Sequence, residues 1–454
     1  MLFLGLQIKY SPSFTHTIFP IPQESVGPRV AQLDPTFTKQ NVWGPHHSPE
    51  KQITCDRSHH SYDICSIHVP TVLDPTTSTF FINRPSSSIT HSPNPTVTKI
   101  RPYPRKWENF TMSRIKELTI TSQQPIPKCH VAHKSPALIF SAGGYTGNFF
   151  HEFNDGFVPL FITVNSMFHH DVDDGNDPDR DIVLVISKAR DWWVSKYAKL
   201  LRQFSMHKII DLDNDNSTHC FPSATIGLIS HGFLTINQEL MPNSKSLNHF
   251  HEFLSKAYNG ENHHSPNILH HRPNSRPRLV LANRPLGVGR ALLNLEEVKS
   301  EVKKVGFDLI MFEPTPKVPL HQSFGLINSS HVMVGVHGAA LTHMLFLRPG
   351  AVFVQVVPLG IEWVAETCFG NAAKARGLNY MDYRVRVEES SLIEKYRKED
   401  MVIKNPSEYI KGKPWSSGMD IYLREQNVRL DLVRFRKYLK KAYKKAKELM
   451  DKEG

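Results

Sequence analysis

No CxxC pair occurs in this chain, and its five cysteines (Cys55, Cys65, Cys129, Cys220 and Cys368) have no spacing that would close a structural zinc site. Long apolar runs are missing too. The opening MLFLGLQIKY is too short for the core of a signal peptide and far too short to span a bilayer, so no membrane anchor is expected. Outside the C-terminal tail no compact basic tract is interleaved with aromatics, which argues against a nucleic-acid partner. No internal repeat is visible. Carboxylates are outnumbered, 43 against 54 Lys and Arg, and the net charge of +11 suits anionic partners such as nucleotide diphosphates, acidic polysaccharide or a membrane surface. What remains is an ordinary globular share of apolar residues, 40% of 454, enough for two cores and an appendage.

Proline marks the first boundary. Residues 1–106 hold 14 of the 32 prolines with Ser, Thr and His clusters, and they read as an extended stem with one ordered patch near 53–81. From Pro136 the pattern changes to buried strands alternating with helices: ALIFSA, DIVLVIS (181–187), HKIIDL (207–212) and ATIGLIS (224–230) are strands. FFHEFNDGFVPLFITVNSMF continues as a helix interrupted near Pro159. The second half is cleaner. RLVLAN (278–283), DLIMF, HVMVGV and AVFVQVV are strands, a fifth lies near Tyr380, and the helix carrying Leu295, Val298, Val302 and Val305 stops at Gly306. This alternation predicts an α/β fold of two Rossmann-like, doubly wound domains facing across a cleft: 107–275 on one side and 276–425 on the other. Residues 426–454 form an amphipathic helix, with Leu432, Phe435, Leu439, Ala442, Ala446 and Leu449 on its apolar side.

Chemistry concentrates in two segments. In the second half a buried strand ends at Val336, and His337, Gly338, Ala339 and Ala340 make a small-residue turn into a helix. Free backbone N–H groups at such a helix start suit a diphosphate, with His337 or Thr342 as further donors; the alternative is a tight turn that binds nothing. Arg284 and Arg290 follow the first strand of that half, at the carboxyl edge where they would complete an anion site. In the first half, His151 and Asp155 are four apart on one helical face, so a carboxylate can orient an imidazole and the pair can act as general base. A hydrogen bond that only holds the turn is the plainer reading.

Other features carry weaker readings. Asp171/Asp173 and Asp211/Asp213 are DxD strings that can hold Mn²⁺ against a diphosphate, but short acidic strings are common. The paired histidines 169/170, 263/264 and 270/271 lack helical ligand spacing and read as polar loop, so no metal site is expected. Cys55 and Cys65 flank DRSHHSYDI and can close a disulfide loop in an oxidising compartment, or stay as free thiols in a reducing one. Sequons occur at Asn109, Asn216 and Asn328. Asn216 sits in the most polar context, and Asn328 precedes an apolar run that argues for burial.

GGYTGNFFHEFNDGFVPLF, VHGAALTHMLFLRPGAVFVQVVPLG and the terminal EQNVRLDLVRFRKYL together resemble the plant family 61 glycosyltransferases, and ITCDRSHHSYDICSI resembles the region where their lumenal domains begin. The likeness covers about residues 50–445, with the motifs in the family's order. It implies an inverting, GT-B-type transferase of the Golgi lumen that takes a UDP-sugar, needs no metal or other cofactor, and adds a pentose to a glycan, with xylan favoured. An N-acetylglucosaminyltransferase is the other donor class. Carried onto this chain, His337 to Ala340 with Thr342 and His343, Arg284 and Arg290 would hold the donor. Glu362 and Trp363 would line its sugar and nucleoside side, and His151 and Asp155 would face the acceptor. Two departures stand out: NRPLGVGRALLN is looser and more glycine-rich than the family's basic loop, and Ala340 replaces a glycine. The rival readings are a metal-dependent GT-A-like transferase using Asp211 and Asp213, and a non-catalytic glycan-binding protein on the same fold.

Overall fold

The computed structural model describes residues 51–83, 95–168, 181–259, 276–315 and 318–453. Asp171, Asp173, the three histidine pairs and most of the proposed stem therefore lie outside the described residues. In chain order the strands are β1 (Ile53–Asp56), β2 (Ile64–Ile67), β3 (Thr71–Asp74), β4 (Thr79–Ile82), β5 (Val97–Ile100), β6 (Leu118–Thr121), β7 (Val131–Ala132), β8 (Ala137–Ser141), β9 (Val183–Ser187), β10 (Ile210–Asp211), β11 (His219–Phe221) and β12 (Ala224–Ile226). The second half adds β13 (Arg278–Ala282), β14 (Asp308–Phe312), β15 (Val332–Val336), β16 (Val352–Val357) and β17 (Asn379–Arg384).

The C-terminal sheet runs β14–β13–β15–β16–β17 with every pairing parallel. Its central strands are apolar runs, interrupted only by Gln355, because both faces are covered. The order reverses between β13 and β15, so the loops leaving these two neighbours at their carboxyl ends part and open a crevice. Arg284 and Arg290 lie in one of those loops and His337 in the other. Gly306, at φ 111°, ends the helix Leu295–Val305 as the sequence predicts. Helix Leu432–Glu453 buries Phe435, Leu439, Ala442, Ala446 and Leu449, and its Arg436 Nε donates to the buried Glu301 carboxylate at 2.5 Å.

The N-terminal half departs from the doubly wound expectation. One sheet, β1–β2–β12–β8–β9–β10, is parallel from β12 to β10 but is extended by antiparallel β2 and β1. Instead of helices, a second sheet, β5–β6–β4–β3–β11–β7, covers one of its faces, and Leu73, Phe80, Ile120, Ile139, Val185 and Ile226 pack between the two. β2 and β3, like β11 and β12, pass from one sheet to the other within a few residues. The ordered patch read near 53–81 supplies β1 to β4, and Val97–Ile100, read above as stem, adds β5. Cys55 and Cys65 face each other across the β1–β2 ladder and form a disulfide, and a second bridge, Cys129–Cys220, spans 91 residues.

Each half has an apolar cluster of its own, around Val185 in the first and Val334 in the second, and a third joins them. This third cluster runs from Leu138, Phe153 and Phe250 through Phe324 and Phe346 to Phe353 and Phe369, so the faces of both parallel sheets share it. Asn109 and Asn216 are exposed, whereas the Asn328 side-chain oxygen is buried.

Candidate active site

Asn148 accepts a hydrogen bond from the Phe150 amide at 3.0 Å and caps the helix that carries His151. The helix then widens into a π-helical stretch, Glu152–Phe157, before resuming at Val158–Met167. Pro159 offers no N–H to the carbonyl of Asp155, which is where an α-helical ladder would need one. The interruption anticipated near Pro159 is this stretch, a form concentrated at functional sites.

Asp155 sits at its centre. Oδ2 accepts from Tyr103 Oη and Arg105 Nε, both at 2.9 Å, and lies 2.8 Å from His151 Nδ1, while Oδ1 accepts from Asn154 Nδ2 at 2.6 Å. Burial alone would raise this carboxyl, but the Arg105 guanidinium and the His151 hydrogen bond outweigh it and hold Asp155 at about 2. An acid so strong and so fully engaged takes no proton at neutral pH, so it orients and does not act as base. Arg105 Nη2 also lies 3.0 Å from His151 Nδ1. That nitrogen cannot accept from Arg105 and donate to Asp155 at once, and the shorter, charge-assisted contact to the carboxylate favours Nδ1–H. In that tautomer Nε2 is the acceptor nitrogen of His151, and it makes no hydrogen bond among the described residues. The ring stacks on Tyr145 at 4.2 Å and keeps 18% of its side chain exposed.

Arg105, Tyr103 and Glu108 were not legible as site residues. Tyr103 and Arg105 fall in the stretch read as stem and Glu108 just beyond it, and no spacing links them to His151. Arg105 is buried, and it donates to Glu108 Oε1 at 2.5 Å as well as to Asp155. Because Asp155 is depressed on folding, it stabilises the protein above the ordinary carboxylate range, and that contribution is lost as pH falls towards about 2. Asp155→Asn should therefore lose ~3–5 kcal/mol at pH 7, since the buried Arg105 gives up one of its two carboxylates and keeps only Glu108, and should flatten the acid limb of stability. Urea unfolding at pH 7 and pH 3 measures both.

The facing turn is built from β15. Its Val336 leads into His337 and Gly338, and the helix that follows, Ala339–Phe346, is a 3₁₀-helix where an α-helix was expected. Gly335 and Gly338 explain the tight approach: a Cβ on Gly338 would lie 2.5 Å from Arg284 Nη1, and one on Gly335 2.6 Å from Leu341. His337 is neutral, held down at about 3 by burial and by Arg290 and Arg284. Tyr380 Oη donates to Gln355 Oε1 at 2.8 Å, which turns the Gln355 amide to donate to His337 Nδ1 at 2.9 Å. The His337 Nε2–H is left as a donor.

Arg290 Nη1 donates to the His337 carbonyl at 3.0 Å, and Arg284 Nε to the Gly289 carbonyl at 3.0 Å. Neither arginine is ion-paired among the described residues, and the buried Arg290 Nε has no partner. Burial and the neighbouring Arg284 push Arg290 down to about 9. The glycine-rich loop is anchored at its 289–291 end, while Gly287 stands in open space and residues 285–288 are exposed. A Cβ on Gly289 would meet the Arg424 carbonyl at 2.4 Å, and Ala291 N donates to Asn427 Oδ1 at 3.0 Å. The Gln426-Asn427 pair of the C-terminal motif thus braces the arginine loop.

The two segments meet. Phe149 stacks on His343 at 4.1 Å, and Phe369 lies 5.5 Å from Phe150 and 5.3 Å from His337. His343 itself is buried among Phe149, Phe312 and Phe346 with Nδ1 2.8 Å from the Ala340 carbonyl, so it packs the turn from below instead of facing the crevice. Thr342 is likewise fully buried. Glu362 opens the short helix after β16, and the half-exposed Trp363 meets Trp415 edge-on at 5.5 Å. Asp211 and Asp213 are elsewhere and engaged: Asp211 accepts from the Asp213 amide at 3.0 Å, and Asp213 pairs with Lys116 at 2.7 Å. Among the described residues no three His, Cys, Asp or Glu side chains converge as a ligand set.

The sequence model of Glycosyltransferase 61 matches residues 149–354, the span that runs from the capped helix through the His337 turn into β16. The chain is 37% identical to the xylan glycosyltransferase MUCI21 of Arabidopsis thaliana over 92% of its own length and 84% of that protein. It belongs to glycosyltransferase family 61. Two rice relatives (Oryza sativa subsp. japonica) agree. The alpha-1,3-arabinosyltransferase XAT3 is 34% identical over 86% of this chain and 64% of its own, and the beta-1,2-xylosyltransferase XYXT1 is 33% identical over 87% and 84%. This family 61 chain is therefore a glycosyltransferase. No helix among its described residues is long and apolar enough to cross a membrane.

Proposed function

We propose that this glycosyltransferase moves a pentose from a UDP-sugar onto xylan by a single inverting displacement, with GT-B-type division of labour between its halves. The observation that carries the donor side is the unpaired couple Arg284 and Arg290 converging on Gly338 at the reversal of strand order. Two desolvated guanidiniums without a carboxylate are unfavourable alone and become favourable when a diphosphate arrives. The Nε2–H of His337 and the amides of Ala339 and Ala340 add uncharged donors. On the acceptor side a hydroxyl gives its proton to His151 Nε2 as its oxygen bonds to the anomeric carbon. The bond from that carbon to the diphosphate breaks, and UDP leaves with the electron pair. Asp155 holds the ring and stabilises the imidazolium. Glu362 and Trp363 flank the sugar and nucleoside.

The relatives whose names specify arabinosyl and xylosyl transfer support the pentose and xylan assignment. Two disulfides and the exposed Asn109 and Asn216 sequons fit an oxidising, lumenal setting, and we place the enzyme in the Golgi. Because arginines supply the positive charge, turnover should persist in EDTA. Gly338→Ala tests the donor site directly, since the new methyl must displace Arg284. Losing one charge-assisted contact should weaken UDP binding about tenfold or more in calorimetric titration. Unchanged affinity would remove the arginine couple from the donor site.

A further inference from the structure

The loop closed by Cys55–Cys65 carries His59, His60 and Tyr62, and these rings do not scatter. His59 stacks on Tyr62 at 4.3 Å and meets His60 at 4.6 Å, and His60 lies 6.1 Å from Trp107. Arg105 then lies over both Trp107, at 5.5 Å, and Tyr145, at 5.2 Å, and Tyr145 is the ring on which His151 stacks. An aromatic row thus runs from the exposed disulfide loop to the proposed base.

The rings are held in place. Ser61 N donates to His59 Nδ1 at 3.1 Å, and Ser61 Oγ lies 2.9 Å from His60 Nε2. Lys106 locks the loop to the Arg105 segment: its amide donates to the Ser61 carbonyl at 2.9 Å and its amine to the Arg57 carbonyl at 2.6 Å. The charges nearby are spent internally, since Arg57 and Lys106 both pair with Asp63, at 2.8 and 2.7 Å. Burial and its neighbour His60 keep His59 low, at about 4, so that ring stays neutral. Trp107, at 47% exposure, is nonetheless left open.

We infer that this row is an acceptor track that binds the backbone of a neutral, β-linked polysaccharide chain whose reacting sugar sits at His151. The C–H faces of such sugars carry partial positive charge and stack on the negative faces of aromatic rings. A neutral, rigid and partly exposed row suits them. It does not suit nucleic acid or an acidic polymer, for which unpaired cations would be needed. The inference rests on the transferase reading above and adds to it a binding surface for sugars that are not themselves modified.

The test compares xylobiose with xylohexaose as acceptors for the intact chain. In the wild type KM falls with acceptor length. In Trp107→Ala and in His60→Ala that advantage should shrink by roughly tenfold, the scale of one lost stacking platform, and Trp107→Phe should restore it. Equal losses on both acceptors would mean a merely structural role and overturn the track, as would an unchanged length dependence. Binding of xylohexaose by affinity electrophoresis separates the two layers of argument. Retention that depends on Trp107 without any sugar transfer would sink the catalytic reading and leave the track standing. Transfer to another acceptor with no xylohexaose retention would sink the track alone.

Discussion

His151→Ala is expected to lower kcat by ~10²–10⁴, the range for removing a general base, while leaving UDP affinity near that of the parent. The expectation follows from one-sided access. Nδ1 is committed to Asp155, so only Nε2 can reach an acceptor hydroxyl, and Tyr145 keeps the ring from turning over. His151→Gln retains a polar group of similar reach but takes up no proton, and it should be nearly as slow. A variant within about tenfold of wild type would place the base elsewhere and reduce His151 to a stacking partner.

Arg284→Ala and Arg290→Ala should each cost ~10²–10³ in kcat, about 3–4 kcal/mol of barrier, because the charge they stabilise builds on UDP only as the bond breaks. Arg290→Lys should recover little, since an ammonium cannot reproduce a guanidinium fork tied to the His337 carbonyl. A stability measurement distinguishes this role from scaffolding. Arg290 is a desolvated cation with an unpartnered Nε, so Arg290→Leu without donor should melt no lower than the parent and yet be inactive. A large drop in melting temperature together with wild-type turnover would contradict both halves of that argument.

Legibility in the sequence followed the range of the contacts. β13 to β16 are largely apolar runs and were visible as such, and so were the Gly306 stop, the face of the terminal helix and the Cys55–Cys65 loop, because each is encoded by local spacing. Of the second sheet in the N-terminal half only β3 and β4 were legible, within the ordered patch near 53–81; β5, β6, β7 and β11, two to four residues long, are too short for alternation to register. Arg105 to Asp155 and Cys129 to Cys220 join residues 50 and 91 apart, and no local pattern announces such pairs. Of the donor residues, Arg284, Arg290, His337 and Gly338 do come together. Thr342 was expected as a donor at the turn and His343 through the family resemblance, and the 3₁₀ winding buries both. The glycines of the arginine loop misled in the other direction, since Gly289 marks close packing on Arg424 and not slack.

The apolar cluster shared by both parallel sheets bears on how substrate gets in and product gets out. Phe346 touches Phe153 and Tyr258, with ring centres 6.1 and 6.3 Å apart, so swinging the lobes apart would wet these rings at ~1.5–3 kcal/mol apiece. Bending at a waist is therefore a costly working stroke for this enzyme. On the proposed reading, passage of the nucleotide falls to local breathing of the exposed tip 285–288, whose Leu286 is 71% exposed, and the two lobes should melt in a single thermal transition.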